Sequence, residues 1–384
     1  MTAAPASSPA ADPSAALAAL REAVAAHGYD TILRLHAWEQ APRGLDASLR
    51  ATLRHAAPAS RDLVRLLYLG EVLPAARVEA LLGGPSCAAL HDAGLLVSRA
   101  DGVAARYRLE VAGDHLLLVE WPEARAAGVY FGEDSDFLRS VLAPRRGAVC
   151  LDLCTGSGIQ ALRCAAVGAR VDAVDLNPDA VALARLNAEL NGLADRLRVY
   201  TGDLWAPLAP GARYDHVVAN PPLVPVPETV PYPLCGHGGA DGLGLVRRIF
   251  EGLTDRLTAR GRCTLIGAST GTSERPAVLD ELERTVADRM HVSLYLLSRA
   301  SLRDWVSTLV ATVRAVYRGG GAANTVLRAR ACYGPAFDET VVTTFLVVCD
   351  RGRRPAGCHV VDYSTVGRDS FWFVNRGRAA TAAR

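Results

Sequence analysis

The short run at residues 218–223 holds the side chains best suited to chemistry at a nitrogen atom. It reads Val-Ala-Asn-Pro-Pro-Leu and closes an apolar, β-branched stretch that predicts a strand. The side-chain oxygen of Asn220 and the carbonyl oxygen of Pro221 are hydrogen-bond acceptors, and the locked φ angles of Pro221 and Pro222 fix their directions. Two such acceptors can hold both hydrogens of an NH2 group. We therefore predict that Asn220, Pro221 and Pro222 are catalytic residues.

A glycine-containing turn precedes this run in the chain. Residues 148–162 read as a buried strand, a tight turn and a helix, because parallel strands covered on both faces are continuously apolar. Gly156 and Gly158 let the backbone lie against a ligand where a Cβ would clash, and the unpaired amides that open the helix point into the turn. Position 161 is Ala, which some dinucleotide-binding variants also accept, so the glycines alone do not identify the ligand.

Acidic residues follow the next two predicted strands. Residues 170–175 end in Asp175, and residues 197–201 are followed by Asp203. An acidic group at the first of these positions usually holds a ribose diol. Ligands of open α/β sheets bind at the carboxyl ends of strands. The glycine turn, both aspartates and Asn220 are therefore predicted to line one crevice.

In this order the motifs resemble those of the class I S-adenosylmethionine-dependent methyltransferases. They are most similar to the Asn-Pro-Pro branch, which includes release-factor glutamine methyltransferases and adenine- and guanine-N-methyltransferases of nucleic acids. The resemblance covers roughly residues 149–269. It implies an α/β fold with a doubly wound, Rossmann-like sheet of seven strands, the last of them antiparallel beside the sixth, and S-adenosylmethionine as the cofactor.

The resemblance also implies which residues contact that cofactor. The D-x-x-T-G-S-G loop would wrap its methionine part, Asp175 would bind the ribose, and Asp203 would bind the adenine amino group. Asp152 could equally have a purely architectural role. The implied cofactor contacts are Asp152, Thr155, Gly156, Ser157, Gly158, Asp175, Leu176, Asn177, Asp203, Leu204 and Asn220.

The segment after Asn-Pro-Pro is similar to that of glutamine methyltransferases over residues 238–243, with two departures. Leu223 replaces the aromatic residue that would stack on a planar acceptor, and Tyr232-Pro233 replaces a Glu-Pro pair. Leu223, Tyr232, His237 and Tyr130 are predicted substrate residues. His237 is better explained as a loop residue than as a base, and Tyr130 as either core or a cofactor cover.

Residues outside the resemblance predict a second, smaller domain. We expect a flexible tail over 1–12, an α+β, winged-helix-like domain over 13–125 and the catalytic domain over 126–384. The winged-helix pattern ends in strands expected over residues 94–98, 104–110 and 115–120. Its third helix, expected over residues 86–93, carries no Lys or Arg. A scaffold for dimerisation or a substrate lid is therefore favoured over DNA reading. The roles of the 318–340 insertion and of the C-terminal tail stay open.

Charge and composition limit the classes of partner and the cellular location that we expect. A net charge of +2 gives no dominant positive field, so a nucleic-acid partner is disfavoured. The nine cysteines show no C-x-x-C pair or zinc-like spacing, which predicts reduced thiols, no metal site and a cytoplasmic location. No apolar run is long enough to cross a bilayer. A homodimer is compatible with the sequence.

The sequence thus predicts an N-methyltransferase for an amine or amide nitrogen of a small molecule, including one of specialised metabolism, or for a protein glutamine. Alternatives are an S-adenosylmethionine-consuming cyclase that releases methylthioadenosine, or a nucleic-acid base N-methyltransferase. A non-enzymatic alternative is a winged-helix regulator that senses the cofactor.

Overall fold

A computed structural model describes residues 13–38, 45–121, 128–316 and 324–364. The predicted tail over 1–12, the domain boundary near 125 and the aromatic residues Phe371, Trp372 and Phe373 lie outside the described residues. By their contacts the described residues form two units. The first unit runs up to Trp121 and includes Arg185–Ala194; the second comprises Pro122–Ala184 and the chain from Asp195 onward.

The first unit consists of six helices followed by two β-hairpins within the described residues. Its helices are α1 (Ser14–Ala26), α2 (Tyr29–Trp38), α3 (Leu45–Leu53), α4 (Pro58–Leu67), α5 (Ala75–Leu82) and α6 (Gly84–Asp92). Its hairpins are β1 (Leu96–Arg99) with β2 (Gly102–Ala105), and β3 (Arg108–Ala112) with β4 (His115–Val119).

One strand prediction for this unit is wrong. The single strand expected over residues 104–110 is two strands, because β2 pairs with β1 while β3 pairs with β4. The chain bends between them at residues 106–107. Helix α2 was not predicted. The winged-helix assignment stays a prediction.

The second unit is built around one sheet of eight strands. Its strands are β5 (Val149–Leu153), β6 (Arg170–Asp175), β7 (Leu197–Thr201), β8 (Tyr214–Ala219), β9 (Leu257–Gly271), β10 (His291–Ser301), β11 (Val341–Asp350) and β12 (Gly357–Asp362). Its helices are α7 (Glu133–Val141), α8 (Ile159–Ala166), α9 (Pro178–Leu190), α10 (Gly244–Arg256), α11 (Ala277–Thr285), α12 (Leu302–Val316) and α13 (Thr325–Tyr333).

The order of the sheet is β12-β10-β11-β9-β8-β5-β6-β7. The seven predicted strands are all present, and β11 lies antiparallel between β9 and β10 as expected. The sheet is nevertheless one strand larger than predicted, because β12 pairs parallel to β10 at the edge. Tyr363, just beyond β12, stacks on Tyr295 of β10 with ring centroids 6.3 Å apart.

The central strands are buried on both faces, which explains their continuously apolar sequence. Leu151 and Leu153 of β5, Val217 of β8 and Phe345 of β11 are fully buried in one core. Each such side chain contributes about 1.5–3 kcal/mol of burial free energy. Because β5, β6, β7 and β8 are mutually parallel, their carboxyl ends lie on one edge. The predicted site residues follow these ends.

Helix α9 spans the boundary between the two sets of contacts. The last turns of α9 belong to the first unit. There the side chain of Asn187 makes the two hydrogen bonds that a neighbouring strand would make. Its Nδ2 donates to the Leu118 carbonyl (3.0 Å), and its Oδ1 accepts from the Leu118 amide (2.7 Å). Asn191 bonds Leu116 in the same way. These amides satisfy the outer edge of β4, whose one strand partner in the described part of the chain is β3.

An insertion separates β10 from β11. It contains α12, α13 and a 3-10 turn over Gly334–Asp338, and its residues 317–323 lie outside the described part. The sequence over residues 301–317 predicts a helix, which corresponds to α12, whereas α13 was not predicted. Among the described residues, no helix is both long and apolar enough to span a bilayer.

Candidate functional site

The glycine turn between β5 and α8 has a left-handed backbone at three positions. Cys154, Gly156 and Gly158 have φ angles of 57°, 53° and 87°. A Cβ on Gly158 would lie 3.1 Å from the Cβ of Ala184, so glycine there also lets α8 pack closely on α9. The turn therefore needs its glycines for backbone conformation and for helix packing.

Asp152 at the end of β5 uses its two carboxylate oxygens differently. Oδ2 accepts hydrogen bonds from the Thr155 hydroxyl (2.5 Å) and the Ala161 amide (3.1 Å), which tie the turn to the start of α8. Oδ1 is buried and has no hydrogen-bond partner among the described residues. Burial raises the pKa of this carboxyl to about 7. One oxygen is thus architectural, while the other stays available to a hydrogen-bond donor.

Asp175 at the end of β6 faces the same turn. Its Oδ2 accepts from the Gly156 amide (2.8 Å) and its Oδ1 accepts from the Asn177 amide (2.9 Å). Burial raises the pKa of Asp175. The side chain of Asn177 accepts from the Asp179 amide (2.9 Å) and so caps the start of α9. Between them, Leu176 is 57% exposed, an unusual position for a large apolar side chain.

The end of β7 carries the other predicted acidic residue. The Asp203 carboxylate accepts from Arg248 Nη2 (2.7 Å), and both side chains are about half exposed. Leu204 next to it is buried and has a positive φ of 47°. The pairing with Arg248 was not expected. Binding of an adenine amino group by Asp203 stays a prediction.

Asn220 has a defined amide orientation. Its Nδ2 donates to Asp134 Oδ2 (2.9 Å) and to Ser135 Oγ (3.1 Å), both on the first turn of α7. The Tyr130 hydroxyl donates to the other oxygen of Asp134 (2.8 Å). Asn220 Oδ1 is buried and lacks a partner among the described residues. Because a carboxylate accepts and cannot donate, the network assigns nitrogen to one side and leaves the oxygen unused.

Burial has the largest effect on the pKa of Asp134, the carboxyl that Asn220 and Tyr130 contact. Asp134 is buried, and desolvation raises the pKa of its carboxyl, while the hydrogen bonds from Asn220 and Tyr130 oppose that rise. Sequence reasoning missed Asp134 and Ser135. Acidic residues in a first helical turn are explained well enough by the helix dipole, so their types carried no separate signal.

The segment after Asn-Pro-Pro is enclosed by the residue 236–243 loop. Val224 exchanges backbone hydrogen bonds with Gly236 and Gly238, both 2.9 Å long. A Cβ on Gly238 would lie 2.9 Å from the Leu223 carbonyl carbon, so the two segments approach more closely than any side chain allows. Leu223 itself is buried. It therefore presents no open face on which a planar group could stack.

The remaining predicted substrate residues lie around this loop or before α7. His237 Nδ1 accepts from the Gly239 amide (3.3 Å) and so stabilises its own turn. The ring of Tyr232 lies against Gly236, where a Cβ would be 2.6 Å from its Cε1. Tyr130 lies before α7, and its hydroxyl is engaged by Asp134. Contact of these residues with a substrate stays a prediction.

The insertion between β10 and β11 forms hydrogen bonds with the segment that follows Asn-Pro-Pro and with the residue 236–243 loop. The Tyr333 hydroxyl of α13 donates to the Ala240 carbonyl (2.5 Å), and Arg328 Nη1 donates to the Thr229 carbonyl (2.6 Å). Burial raises the pKa of Tyr333. Neither contact could be predicted from the sequence, because Tyr333 and Ala240 are 93 residues apart.

Together these groups define the kind of ligand the strand ends can take. At the ends of two neighbouring strands, two buried oxygens have no hydrogen-bond partner among the described residues: Asp152 Oδ1 in β5 and Asn220 Oδ1 just after β8. Both suit hydrogen-bond donors, and Leu176 offers an apolar surface beside Asp175. A ligand with amino, hydroxyl and flat apolar parts fits this set. Among the described residues, no group of three or more His, Cys, Asp or Glu could hold a metal ion.

Comparison with known proteins agrees with this architecture. Residues 128–282 match the family described as "Methyltransferase small domain". Over 116 residues the chain is 44% identical to the ribosomal protein uL3 glutamine methyltransferase of Burkholderia pseudomallei. The aligned stretch covers 26% of this chain and 38% of that protein. Over 142 residues it is 39% identical to the protein of the same name from Bradyrhizobium diazoefficiens, covering 34% and 44%.

A solved structure, the ribosomal protein L11 methylase from Lactobacillus delbrueckii subsp. bulgaricus, is similar at 16% identity. The match covers 57% of this chain and 80% of the methylase, with a TM-score of 0.31.

The strand order, the glycine turn and the family match over residues 128–282 support a class I methyltransferase fold for the second unit. Within that class, the sequence relatives named above are glutamine methyltransferases. The chain spans less than half the length of each of these relatives.

Proposed function

We propose that this chain methylates the side-chain amide nitrogen of a glutamine in a protein, with S-adenosylmethionine as the donor. The observation that carries the proposal is the orientation of Asn220, whose nitrogen is committed to Asp134 and Ser135 and whose oxygen has no partner among the described residues. The relatives that match the catalytic unit are named as methyltransferases for a glutamine of ribosomal protein uL3. That protein is the first acceptor to test.

The proposed role of Asn220 follows from the chemistry of an amide. The lone pair of an amide nitrogen is delocalised into its carbonyl, so the nitrogen is a poor nucleophile. Acceptors that hold its two hydrogens out of plane favour a pyramidal nitrogen with a localised lone pair. Asn220 Oδ1 and the Pro221 carbonyl are the proposed acceptors. Asp134 and Ser135 prevent the Asn220 amide from flipping, and Pro222 limits movement of the Pro221 carbonyl.

The donor would be held by the residues that follow β5, β6 and β7. The free oxygen of Asp152 and the amides of the glycine turn would bind its amino-acid part, Asp175 its ribose, and Leu176 with Leu204 its base. When bound, S-adenosylmethionine supplies an electrophilic methyl group on a sulfonium. The residues on the β5 and β8 ends then have to align donor and acceptor, and such positioning can lower a barrier by roughly 7–11 kcal/mol at best.

The proposal requires no strong general base before transfer. The methylated nitrogen becomes acidic, so its proton can leave afterwards to solvent or to a nearby carboxylate. This agrees with the place of His237, which accepts a hydrogen bond within its own turn. It also agrees with the pKa of Cys154, which burial raises far above the range of a reactive thiolate.

A small-molecule amine is a second candidate acceptor, favoured by one observation. Leu223 is buried and provides no aromatic face beside Asn220, so a flat amide would lack a stacking partner at that position. An amine does not need one. The choice between these acceptors is therefore a matter for product analysis.

The test is mass spectrometry of acceptors incubated with the chain and isotope-labelled donor. Purified uL3, a pool of ribosomal proteins and a set of small amines are the acceptors. We expect one labelled methyl group on a glutamine and release of S-adenosylhomocysteine. Asn220→Ala should abolish the product, while calorimetry with S-adenosylhomocysteine should give an unchanged Kd. Label only on a small amine, or release of methylthioadenosine, would overturn the proposal.

A further inference from the structure

A basic cleft lies in the first unit, between α3 and α4. It has a volume of about 350 Å³ and is lined by four arginines, one glutamate and one leucine. Arg50 and Arg54 come from α3 and the turn after it, and Arg61 and Arg65 come from α4. No aromatic residue contributes to the lining that the described residues form.

The spacing of these arginines is regular. Arg50 and Arg54 are four positions apart, as are Arg61 and Arg65, so each pair projects from one side of its segment. Like charges at this spacing destabilise a helix. The fold brings two such pairs to the walls of one cleft, which concentrates positive charge where a ligand could enter.

The carboxylates near the cleft balance only part of this positive charge. Glu71 forms ion pairs with Arg50 and Arg65, and the buried Asp62 forms ion pairs with Arg65 and Arg77. These contacts hold the guanidinium groups of Arg50 and Arg65 in place.

Two arginines keep their charge unpaired. Within the residues that the structure describes, Arg54 and Arg61 have no carboxylate within ion-pair distance.

We propose that this cleft binds a ligand that carries two or more phosphate groups. A guanidinium presents a planar fork of donors that matches phosphate oxygens, and several of them line one space larger than a single phosphate. Without an aromatic wall the ligand is held through its phosphates and not by stacking of a base. The site is independent of α6, the helix on which the winged-helix pattern would place DNA contacts, and independent of the proposed methyl transfer.

The test measures binding to the full chain at low salt by calorimetry. The probes are inorganic pyrophosphate, a nucleoside triphosphate and a short single-stranded RNA. Saturating S-adenosylhomocysteine is present throughout, so that the glycine turn of the second unit is occupied. We expect saturable binding that weakens as salt is raised. Tight binding of pyrophosphate or triphosphate assigns the site to a free phosphorylated ligand, and binding of RNA alone assigns it to a nucleic-acid backbone.

The variant that tests the cleft is Arg54→Glu with Arg61→Glu. Neither side chain takes part in an ion pair within the described residues, and circular dichroism checks the fold. We expect affinity for the probe that binds to fall by about tenfold or more for each charge-assisted hydrogen bond that the substitutions remove. Arg99→Glu is the matched control, an exposed arginine of β1 outside the cleft. At the higher-salt end of the series, about 0.15 M, the Debye length is about 8 Å, so this variant should bind within about twofold of the parent. If the double variant unfolds, Arg54→Gln with Arg61→Gln replaces it. No saturable binding of any probe, or equal binding by parent and double variant, would overturn the proposal.

Discussion

Replacing Asp134 with asparagine separates the positioning of Asn220 from the stability of the fold. Asp134→Asn keeps the shape of the side chain but replaces one of the two carboxylate oxygens by an NH2 group. In the parent, one carboxylate oxygen accepts from Asn220 Nδ2 at 2.9 Å and the other from the Tyr130 hydroxyl at 2.8 Å. An amide at position 134 has two orientations, and in one of them its NH2 group faces Asn220. In that orientation the Asn220 amide has to flip to keep the hydrogen bond, which would turn a donor towards the acceptor nitrogen.

The size of the effect follows from the hydrogen bond that the substitution removes. A hydrogen bond to a charged group contributes about 1.5–3 kcal/mol. If that free energy is expressed only in the transition state, kcat/KM falls roughly ten- to 150-fold with little change in donor affinity. The free energy of unfolding of the variant should be higher than that of the parent or unchanged. Burial raises the pKa of Asp134, so its ionisation disfavours folding at neutral pH and a neutral amide removes that penalty.

The measurements are kcat/KM for the protein acceptor, calorimetric Kd for S-adenosylhomocysteine, and urea unfolding at pH 8. Asp136→Asn is the matched control: it lies two residues further along α7, is half exposed and pairs with Arg139. It should leave kcat/KM within about twofold, because exposed ion pairs contribute little. The reasoning is refuted if Asp134→Asn keeps the parent kcat/KM, or if its unfolding free energy drops by about 2 kcal/mol or more.

Three further predictions address other parts of the second unit. Asp152→Asn should weaken donor binding, since an NH2 group replaces the free Oδ1. The parent carboxyl has a pKa of about 7 against an ordinary 3.8, so the parent loses stability as pH rises from about 4 to 7, and urea unfolding should show no such loss in the variant. Burial lowers the pKa of His216 from 6.5 to about 4. The free energy of unfolding is therefore about 3 kcal/mol higher above pH 6.5 than at pH 4, and this difference is lost as pH falls. His216→Gln should reduce the dependence of the unfolding free energy on pH over this range. Tyr333→Phe removes the bond to Ala240 and should speed hydrogen exchange in the residue 238–244 loop and raise KM for the acceptor, leaving donor Kd unchanged; equal exchange rates would contradict this.

Local patterns in the sequence were sufficient to predict the strands of the second unit, with the exception of β12. β6 and β7 have the bounds predicted from the sequence, although β7 is an edge strand whose buried and exposed residues alternate. The glycine turn, Asp175, Asp203 and Asn220 each follow a predicted strand. Parallel strands bring their carboxyl ends to one edge, so these residues were expected at one edge before any contact was known.

Prediction failed where an element depends on a distant partner. β12 has an unremarkable sequence and becomes a strand through its pairing with β10. The strand expected over 104–110 is divided because its two halves meet different partners. Helix α13 gains its position from contacts with Ala240 and Thr229.

The sequence by itself determined which residue types stand at the strand ends, and hence the class of fold and the position of the Asn-Pro-Pro step. Tertiary structure alone decided how those side chains are oriented. Asp134 and Asn220 are 86 residues apart, and only their contact specifies which face of the amide is a donor and which is an acceptor. The four arginines of the first unit likewise form a cleft only once α3 and α4 are packed. Periodicity encodes burial of one chain segment, whereas the direction of a hydrogen bond depends on groups that no local pattern joins.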